Sequence, residues 1–305
     1  MNKNNSSKLN NAKNTKNDEF YTQYKDIEKE LKFYKNAFKD KIIYCNCDDP
    51  RKSSFTKFFE TNFNSLKLKK LISSCFNPNG KGKISIVEKN KPIYQGFFKK
   101  NGDFRSDEAI NLLKEADIVV TNPPFSLFRD FIDILMLNQK KFLIIGNANA
   151  ITYKNCFDYI INNQLWLGQN CVRWFINPKN EIVEGARSFW FSNIDNQKRS
   201  KKLSLNKKYN DRDYITYDNY NAIEVSKTKD IPFGYSGIMG VPITFLDKYN
   251  PQQFEIIGAD YQVKSGELAY IKQENWNGKT DRAYINGKRL YSRIFIKHTD
   301  VDNAI

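Results

Sequence analysis

Asp117-Ile-Val-Val-Thr-Asn-Pro-Pro-Phe125 reads as a short buried strand that stops on a polar residue, two prolines and an aromatic. Its flanks place it in a repeating pattern. Upstream, Ser106 can cap a helix over 107–115, with Asp107 and Glu108 in the first turn, where the helix dipole favours anions. Downstream, Leu127, Phe128, Phe131, Ile134 and Leu135 fall on one face of a helix, and Phe142-Leu-Ile-Ile145 is the next strand. Toward the N-terminus the spacing predicts a helix over Asp26–Phe38, a strand over Lys41–Cys47, a helix over Ser54–Phe63 and a strand over Leu68–Phe76. A hairpin of Lys83–Val87 with Pro92–Phe98 follows. Strands alternating with helices through short loops are the pattern of an open α/β sheet.

Beyond about residue 160 the character changes. Leu165–Ile176 and Ser188–Ile194 read as longer β segments, and the stretch 198–212 holds seven Lys/Arg and one acid. Residues 231–298 are punctuated by Gly and Pro and end in a strand-like Arg289–Lys297. Residues 1–17, rich in Asn, Lys and Ser, read as a disordered basic arm. The expected organisation is therefore an arm (1–17), a core (18–160), and a region (161–305) that completes the sheet and carries recognition. Trp166, Trp174 and Trp190 read as core residues, and His298 as incidental to function.

With 305 residues, 40% hydrophobic, the chain can bury a real core. No run approaches the ~18–20 apolar residues of a membrane span, and the start has no apolar signal region. Five cysteines without a CxxC pair, and a single histidine, argue against a zinc site and against His-based triads. The cysteine usage fits a reducing cytoplasm. Forty-nine Lys+Arg against 34 Asp+Glu give a net charge of +15. That balance favours an acidic partner, nucleic acid before anionic membrane, over the simpler account of AT-rich coding.

The Asn122–Phe125 segment also carries a specific chemical logic. Ligands of open α/β sheets bind outside the carboxyl ends of strands. An exocyclic base amine is a poor nucleophile because its lone pair is delocalised into the ring. The side-chain oxygen of Asn122 and the carbonyl of Pro123 can each accept one of its hydrogens and favour the pyramidal nitrogen that attacks a methyl sulfonium. Pro123 and Pro124 stiffen the loop, and Phe125 offers a face on which an extruded base can stack. The bland alternative is an ordinary Pro-Pro turn with Phe125 in the core. Gly102-Asp103-Phe104, just before the capped helix, weighs against it. An Asp there can accept from an adenine amino group, and Phe104 can flank the ring.

Gly102–Phe125 resembles the paired adenine-binding and catalytic segments of S-adenosylmethionine-dependent amino-methyltransferases. Asp18-Glu-Phe-Tyr-Thr-Gln-Tyr24, Tyr44-Cys-Asn-Cys-Asp-Asp-Pro50 and Gly237-Ile-Met-Gly-Val-Pro-Ile-Thr-Phe-Leu-Asp-Lys-Tyr-Asn-Pro251 resemble the EcoRI-type family of DNA adenine methyltransferases. The likeness implies an α/β, Rossmann-like class I methyltransferase sheet with a C-terminal, β-rich DNA-recognition region. It implies site-specific transfer of a methyl group from S-adenosylmethionine to N6 of a flipped adenine in double-stranded DNA. A monomer is expected, and a restriction endonuclease acting separately is a conceivable partner. By the same resemblance Phe20, Tyr21 and Thr22 touch the methionine end of the cofactor. Cys47, Asp48, Asp49 and Pro50 form the first cofactor loop, where an acid accepts from the ammonium. Asp103 and Phe104 hold the adenine ring, and Asn122, Pro123, Pro124 and Phe125 form the catalytic loop. Lys201, Lys202, Lys207 and Lys208 are expected to contact DNA phosphates.

Two departures stand out. The glycine-rich turn usual in methyltransferases is replaced by Arg51-Lys52-Ser53-Ser54-Phe55. Leu71–Gly80 contains no acid for a ribose contact. The same loop chemistry would serve N4-cytosine, RNA-adenine or protein-glutamine methylation, and a catalytically silent nucleic-acid-binding protein is the reading from a different class.

Overall fold

The computed structural model of the chain describes residues 21–177 and 179–299. These fall into two units, 21–157 with 165–177 and 179–196, and 158–164 with 197–299. The arm 1–17 and Phe20 lie outside the described residues.

The first unit begins with β1 (Tyr21–Thr22) and α1 (Tyr24–Leu31). The helix expected over 26–38 narrows to a 3-10 turn at Lys32–Tyr34 before one more α turn, Lys35–Phe38. Then come β2 (Ile42–Cys45), α2 (Ser54–Thr61), β3 (Lys70–Cys75), β4 (Lys83–Glu88) and β5 (Tyr94–Phe97). After these are α3 (Asp107–Glu115), β6 (Ile118–Thr121), α4 (Phe128–Leu137), β7 (Lys141–Asn147), β8 (Trp166–Ile176) and β9 (Ile182–Ser192). The nine strands form one mixed sheet in the order β1-β8-β9-β7-β6-β2-β3-β4-β5. The four central strands β7, β6, β2 and β3 are parallel, and every other pairing is antiparallel.

The central strands have no polar face because both faces are covered. On one face Ile43, Cys45, Ile118, Val120, Leu143 and Ile145 pack with Ile27 and Leu31 of α1 and with Phe55, Phe58 and Phe59 of α2. On the other, Phe128 of α4 lies 5.1 Å from Phe191 of β9 between ring centroids. A Cβ on Gly146 would sit 2.4 Å from the Phe128 ring, so only glycine lets α4 approach this closely. The buried stripe of α4 is Phe128, Phe131, Ile132 and Leu135. Ile132 stands in it where the sequence pattern suggested Ile134. Residues 125–127 form a separate 3-10 turn, so the helical phase starts at Phe128.

One tryptophan departs from expectation. Trp190 is fully buried, but Trp174 is 48% exposed. The ladder between β7 and β9 ends at Asn147 opposite Ser188, so β8 and β9, with β1 beside them, run on past the end of β7 and carry Trp174 with them.

The second unit holds a four-stranded sheet, β11 (Ile223–Glu224), β13 (Met239–Pro242), β17 (Arg293–His298) and β14 (Phe254–Ala259) in spatial order. It also holds two short pairs, β10 (Lys207–Lys208) with β12 (Pro232–Phe233) and β15 (Tyr284–Ile285) with β16 (Lys288–Arg289). Its core gathers Tyr217, Tyr220, Val263, Ile271, Ala283 and Phe295. No described helix is long and apolar enough to cross a membrane.

Candidate active site

Among the parallel strands β2 comes first in the chain, and its neighbours β3 and β6 lie on opposite sides of it. The loops leaving β2 and β6 therefore diverge, and a crevice must open between their carboxyl ends. A cleft of about 890 Å³ opens there, a size typical of small-molecule sites. Its wall takes residues from the loop after β2 (Asn46–Asp49), the end of β3 (Cys75, Phe76) and the Gly102–Arg105 turn. The loop after β6 (Asn122–Leu127), β1 (Tyr21, Thr22) and the β8–β9 arm (Phe175, Gly185, Ala186) complete it.

Every described residue suggested for cofactor or catalysis lines this cleft except Pro50, which sits in the turn behind Asp49. That turn explains how the loop dispenses with glycine. The amides of Lys52 and Ser53 both donate to the Asp49 carbonyl, and no residue from 46 to 55 adopts a positive φ. Ser53 then caps α2, its hydroxyl accepting from the amides of Phe55 (3.0 Å) and Thr56 (3.4 Å).

The same Ser53 hydroxyl donates to the Asp48 carboxylate at 2.6 Å, and the Thr121 hydroxyl donates to its other oxygen. Thr121 Oγ1 also accepts the amide of Cys47 at 3.2 Å. Asp48 thus commits one oxygen to the cap of α2 and the other to Thr121, the residue immediately before Asn122. Burial pushes its pKa up to about 6, against the pull of the two hydroxyl donors. Asp49 is engaged as well. It pairs with Lys83 at 2.7 Å and accepts the Arg51 amide, and these partners outweigh burial and hold its carboxyl below the usual range.

Asp103 follows Gly102, whose φ is +77°. A Cβ at Gly102 would lie 2.7 Å from both the Cys75 carbonyl and the Phe98 ring, so this turn requires glycine. Both oxygens of Asp103 are clasped by Arg105, from Nε at 2.9 Å and Nη2 at 2.8 Å. The guanidinium holds the Asp103 carboxyl below its ordinary range. Phe104 is buried edge-on to Phe131, with ring centroids 5.0 Å apart. Phe125 is half-buried and meets Phe175 edge-on, with centroids 6.3 Å apart.

Sequence reasoning passed over four wall residues of consequence. Asn46 and Thr22 are 4% and 3% exposed, and neither Asn46 Oδ1 nor Thr22 Oγ1 finds a hydrogen-bond partner among the described residues. Thr22 stands among the candidates the sequence offers, and Asn46 does not. Arg105 clasps Asp103, and Phe175 backs Phe125. Asn147, on the wall at the carboxyl end of β7, could have been found by the strand-end rule that singled out Asn122.

Lys201, Lys202, Lys207 and Lys208 are in the second unit and are exposed. Lys207 pairs with Asp230 at 3.0 Å.

Comparison with known proteins gives a consistent result. The family model described as "Adenine-specific methyltransferase EcoRI" matches residues 8–98 and 79–299. The Type II methyltransferase M.EcoRI of Escherichia coli is 46% identical over 327 aligned residues, covering 95% of this chain and 96% of that protein. M.MgeORF184P of Mycoplasma genitalium is 40% identical, covering 96% and 99%, and M.MpnI of Mycoplasma pneumoniae is 38% identical, covering 95% and 97%. No solved structure gives a match.

Proposed function

Because the chain belongs to the EcoRI family of adenine-specific methyltransferases, we propose that its cleft moves a methyl group from S-adenosylmethionine to N6 of an adenine turned out of duplex DNA. The observation that carries this reading is the convergence of Asn122–Phe125, Asp103–Phe104, the unengaged Thr22 hydroxyl and the open Asn46 acceptor on one cleft at the switch point of the sheet's parallel centre. The order β3-β2-β6-β7, with helices on both faces, supports a Rossmann-like methyltransferase core.

The residues fit the cofactor, which supplies an electrophilic methyl group when bound. Asp48 and Asp49 are already committed to internal partners, so the ammonium is assigned to Asn46 Oδ1 and the carboxylate to the Thr22 hydroxyl and nearby amides. Asp103, whose side chain stays 27% accessible beside the Arg105 clasp where Asp48 and Asp49 are more deeply covered, accepts from the adenine amine, and Phe104 flanks the ring. No acid lies at the end of β3, and the ribose is assigned to the wall formed by Cys75 and Phe76. At the target base, the Asn122 side-chain oxygen and the Pro123 carbonyl accept the amine hydrogens, direct the nitrogen lone pair and hold it for attack. Phe125, braced by Phe175, gives the base a stacking face.

Expression in a host without adenine methylation, followed by sequencing of its plasmid for modified bases, tests the whole reading. N6-methyladenine at one recurring motif is expected. Unmodified DNA, or methylcytosine in place of methyladenine, would overturn it.

Three narrower results are expected. Asp103→Ala should weaken cofactor binding by about 1–3 kcal/mol, as read by calorimetry. Unchanged affinity removes Asp103 from the adenine site. With 2-aminopurine at the target position, binding of cognate DNA should raise fluorescence. Phe125→Trp should keep part of the activity and Phe125→Ala little. A target that stays dark in a bound complex argues against extrusion. Neutralising Lys201, Lys202, Lys207 and Lys208 should weaken cognate and random duplexes alike and flatten the salt slope by up to ~0.9 per lost contact. Lys207 should contribute least, because Asp230 already holds it. A loss confined to cognate DNA refutes the phosphate assignment.

A further inference from the structure

The segment 280–291 of the second unit is fixed in place far beyond what a surface hairpin needs. β15 and β16 pair Tyr284 with Arg289 and Ile285 with Lys288, leaving a two-residue turn, Asn286-Gly287. Both turn residues have positive φ, +50° and +70°. This is the tight hairpin turn whose twist matches the strands, and Asn-Gly is the pair that adopts it most readily.

The turn is also clamped from outside. The Asn286 amide donates to one oxygen of Asp218 at 3.1 Å and the Gly287 amide to the other at 2.8 Å. The Asp218 amide donates to the Tyr284 carbonyl, and the Tyr284 amide to Asn219 Oδ1. Asn219 Nδ2 reaches the Arg282 carbonyl, and the Tyr220 hydroxyl the Thr280 carbonyl. At the base Ala283 is fully buried in the unit's core, and the Leu290 amide donates to its carbonyl. Arg289 is braced by Asp281 at 2.6 Å.

The tip beyond this anchorage is bare. Asn286, Gly287, Lys288 and Arg289 are exposed, and among the described residues Lys288 enters no ion pair. A phosphate contact asks only for a charge, which a mobile side chain supplies. Reading a base edge asks for a tip held in register, and a two-stranded ribbon fits the major groove. Lysine pairs there with the O6 and N7 acceptors of guanine, and asparagine with N7 and the amine of adenine.

We propose that the β15–β16 ribbon is a base-reading element of this enzyme, entering the major groove of its target with Lys288 and Asn286 toward base edges and Asp218 as the residue that positions them. The inference rests on the proposed DNA methylation. Its test keeps the two apart.

Wild type, Lys288→Ala and Asn286→Gly are expressed in the methylation-free host, and the modified motif of each is read by sequencing. Glycine keeps the left-handed turn and removes only the amide. Each variant is expected to relax the motif at one base pair, with discrimination there falling about ten-fold or more. Affinity for a random duplex should stay within about two-fold, because no phosphate contact is lost. Asp218→Ala should broaden the motif in the same way. Unchanged motifs in the two tip variants, or a parallel loss of cognate and random binding, overturn the proposal. Absence of methyladenine in the wild-type sample instead overturns the reading on which it rests.

Discussion

Asn122→Ala is expected to cut the single-turnover methylation rate by at least ~10²-fold, the scale of one preorganised hydrogen-bonding group at a reacting centre. DNA affinity should stay within a few fold, since the side chain is asked to hold the amine only as it attacks. Its position makes the experiment clean. Asn122 follows a fully buried strand residue, Thr121, whose hydroxyl is bound to Asp48, and precedes a buried proline. The backbone around it is thus set by groups the substitution does not touch. Cofactor binding, assigned to the loop after β2 and the Gly102–Arg105 turn, should be unaffected. Rapid-quench assays beside gel-shift titrations separate the two effects. A variant that methylates at near wild-type rate removes Asn122 from the mechanism. One that loses binding and rate together assigns it to the architecture of the loop.

The parts of this molecule legible in the sequence are those set by neighbours a few residues away. Ser106 and its two following acids mark the start of α3 because capping is a local event, and the Ser106 hydroxyl accepts from the Ala109 amide as that signature requires. The strand that ends at Thr121 is legible because burial on both faces leaves an unbroken apolar run. Partners brought together by folding are not legible. Thr121 and Asp48 are separated by 73 residues, and nothing in either segment indicates that Asp48 is committed to a hydroxyl. Arg105 lies two residues from Asp103, yet a turn that places a guanidinium against its neighbour's carboxylate has no spacing rule. Trp174 looked like core because it sits in an apolar β run. It is exposed because β8 and its partner β9 run on beyond the end of β7, which no local pattern marks. The second unit resisted most, since strands of two residues such as β10, β11 and β15 have no periodicity to detect.

Asp48 carries the second large expected effect, on stability as a function of pH. Its folded pKa, pushed up to about 6 by burial, lies above the ~3.9 of an unfolded aspartate. The sign follows from linkage. With the folded value raised, the native state binds the proton more tightly, so the stability this group contributes is fully present below about pH 4 and is lost as pH rises through about 6. The gap corresponds to roughly 3 kcal/mol. Asp48→Asn does not titrate. The difference in unfolding free energy between wild type and this variant should therefore shift against the wild type by up to ~3 kcal/mol between pH 4 and 7, with the other carboxylates cancelling in the subtraction. Denaturant titrations of both proteins across that range measure it. A difference that does not change with pH would mean that Asp48 keeps an ordinary pKa. Function is expected to move the other way. The ionised carboxylate is the form that accepts from both Ser53 and Thr121, so the strut that holds the residue before Asn122 is complete only above about pH 6. A charged, doubly bonded carboxylate beneath the loop assigned to catalysis would thus come at the expense of stability at neutral pH, and Asp48→Asn, which cannot accept with both terminal atoms, should lose rate at neutral pH even where it melts later.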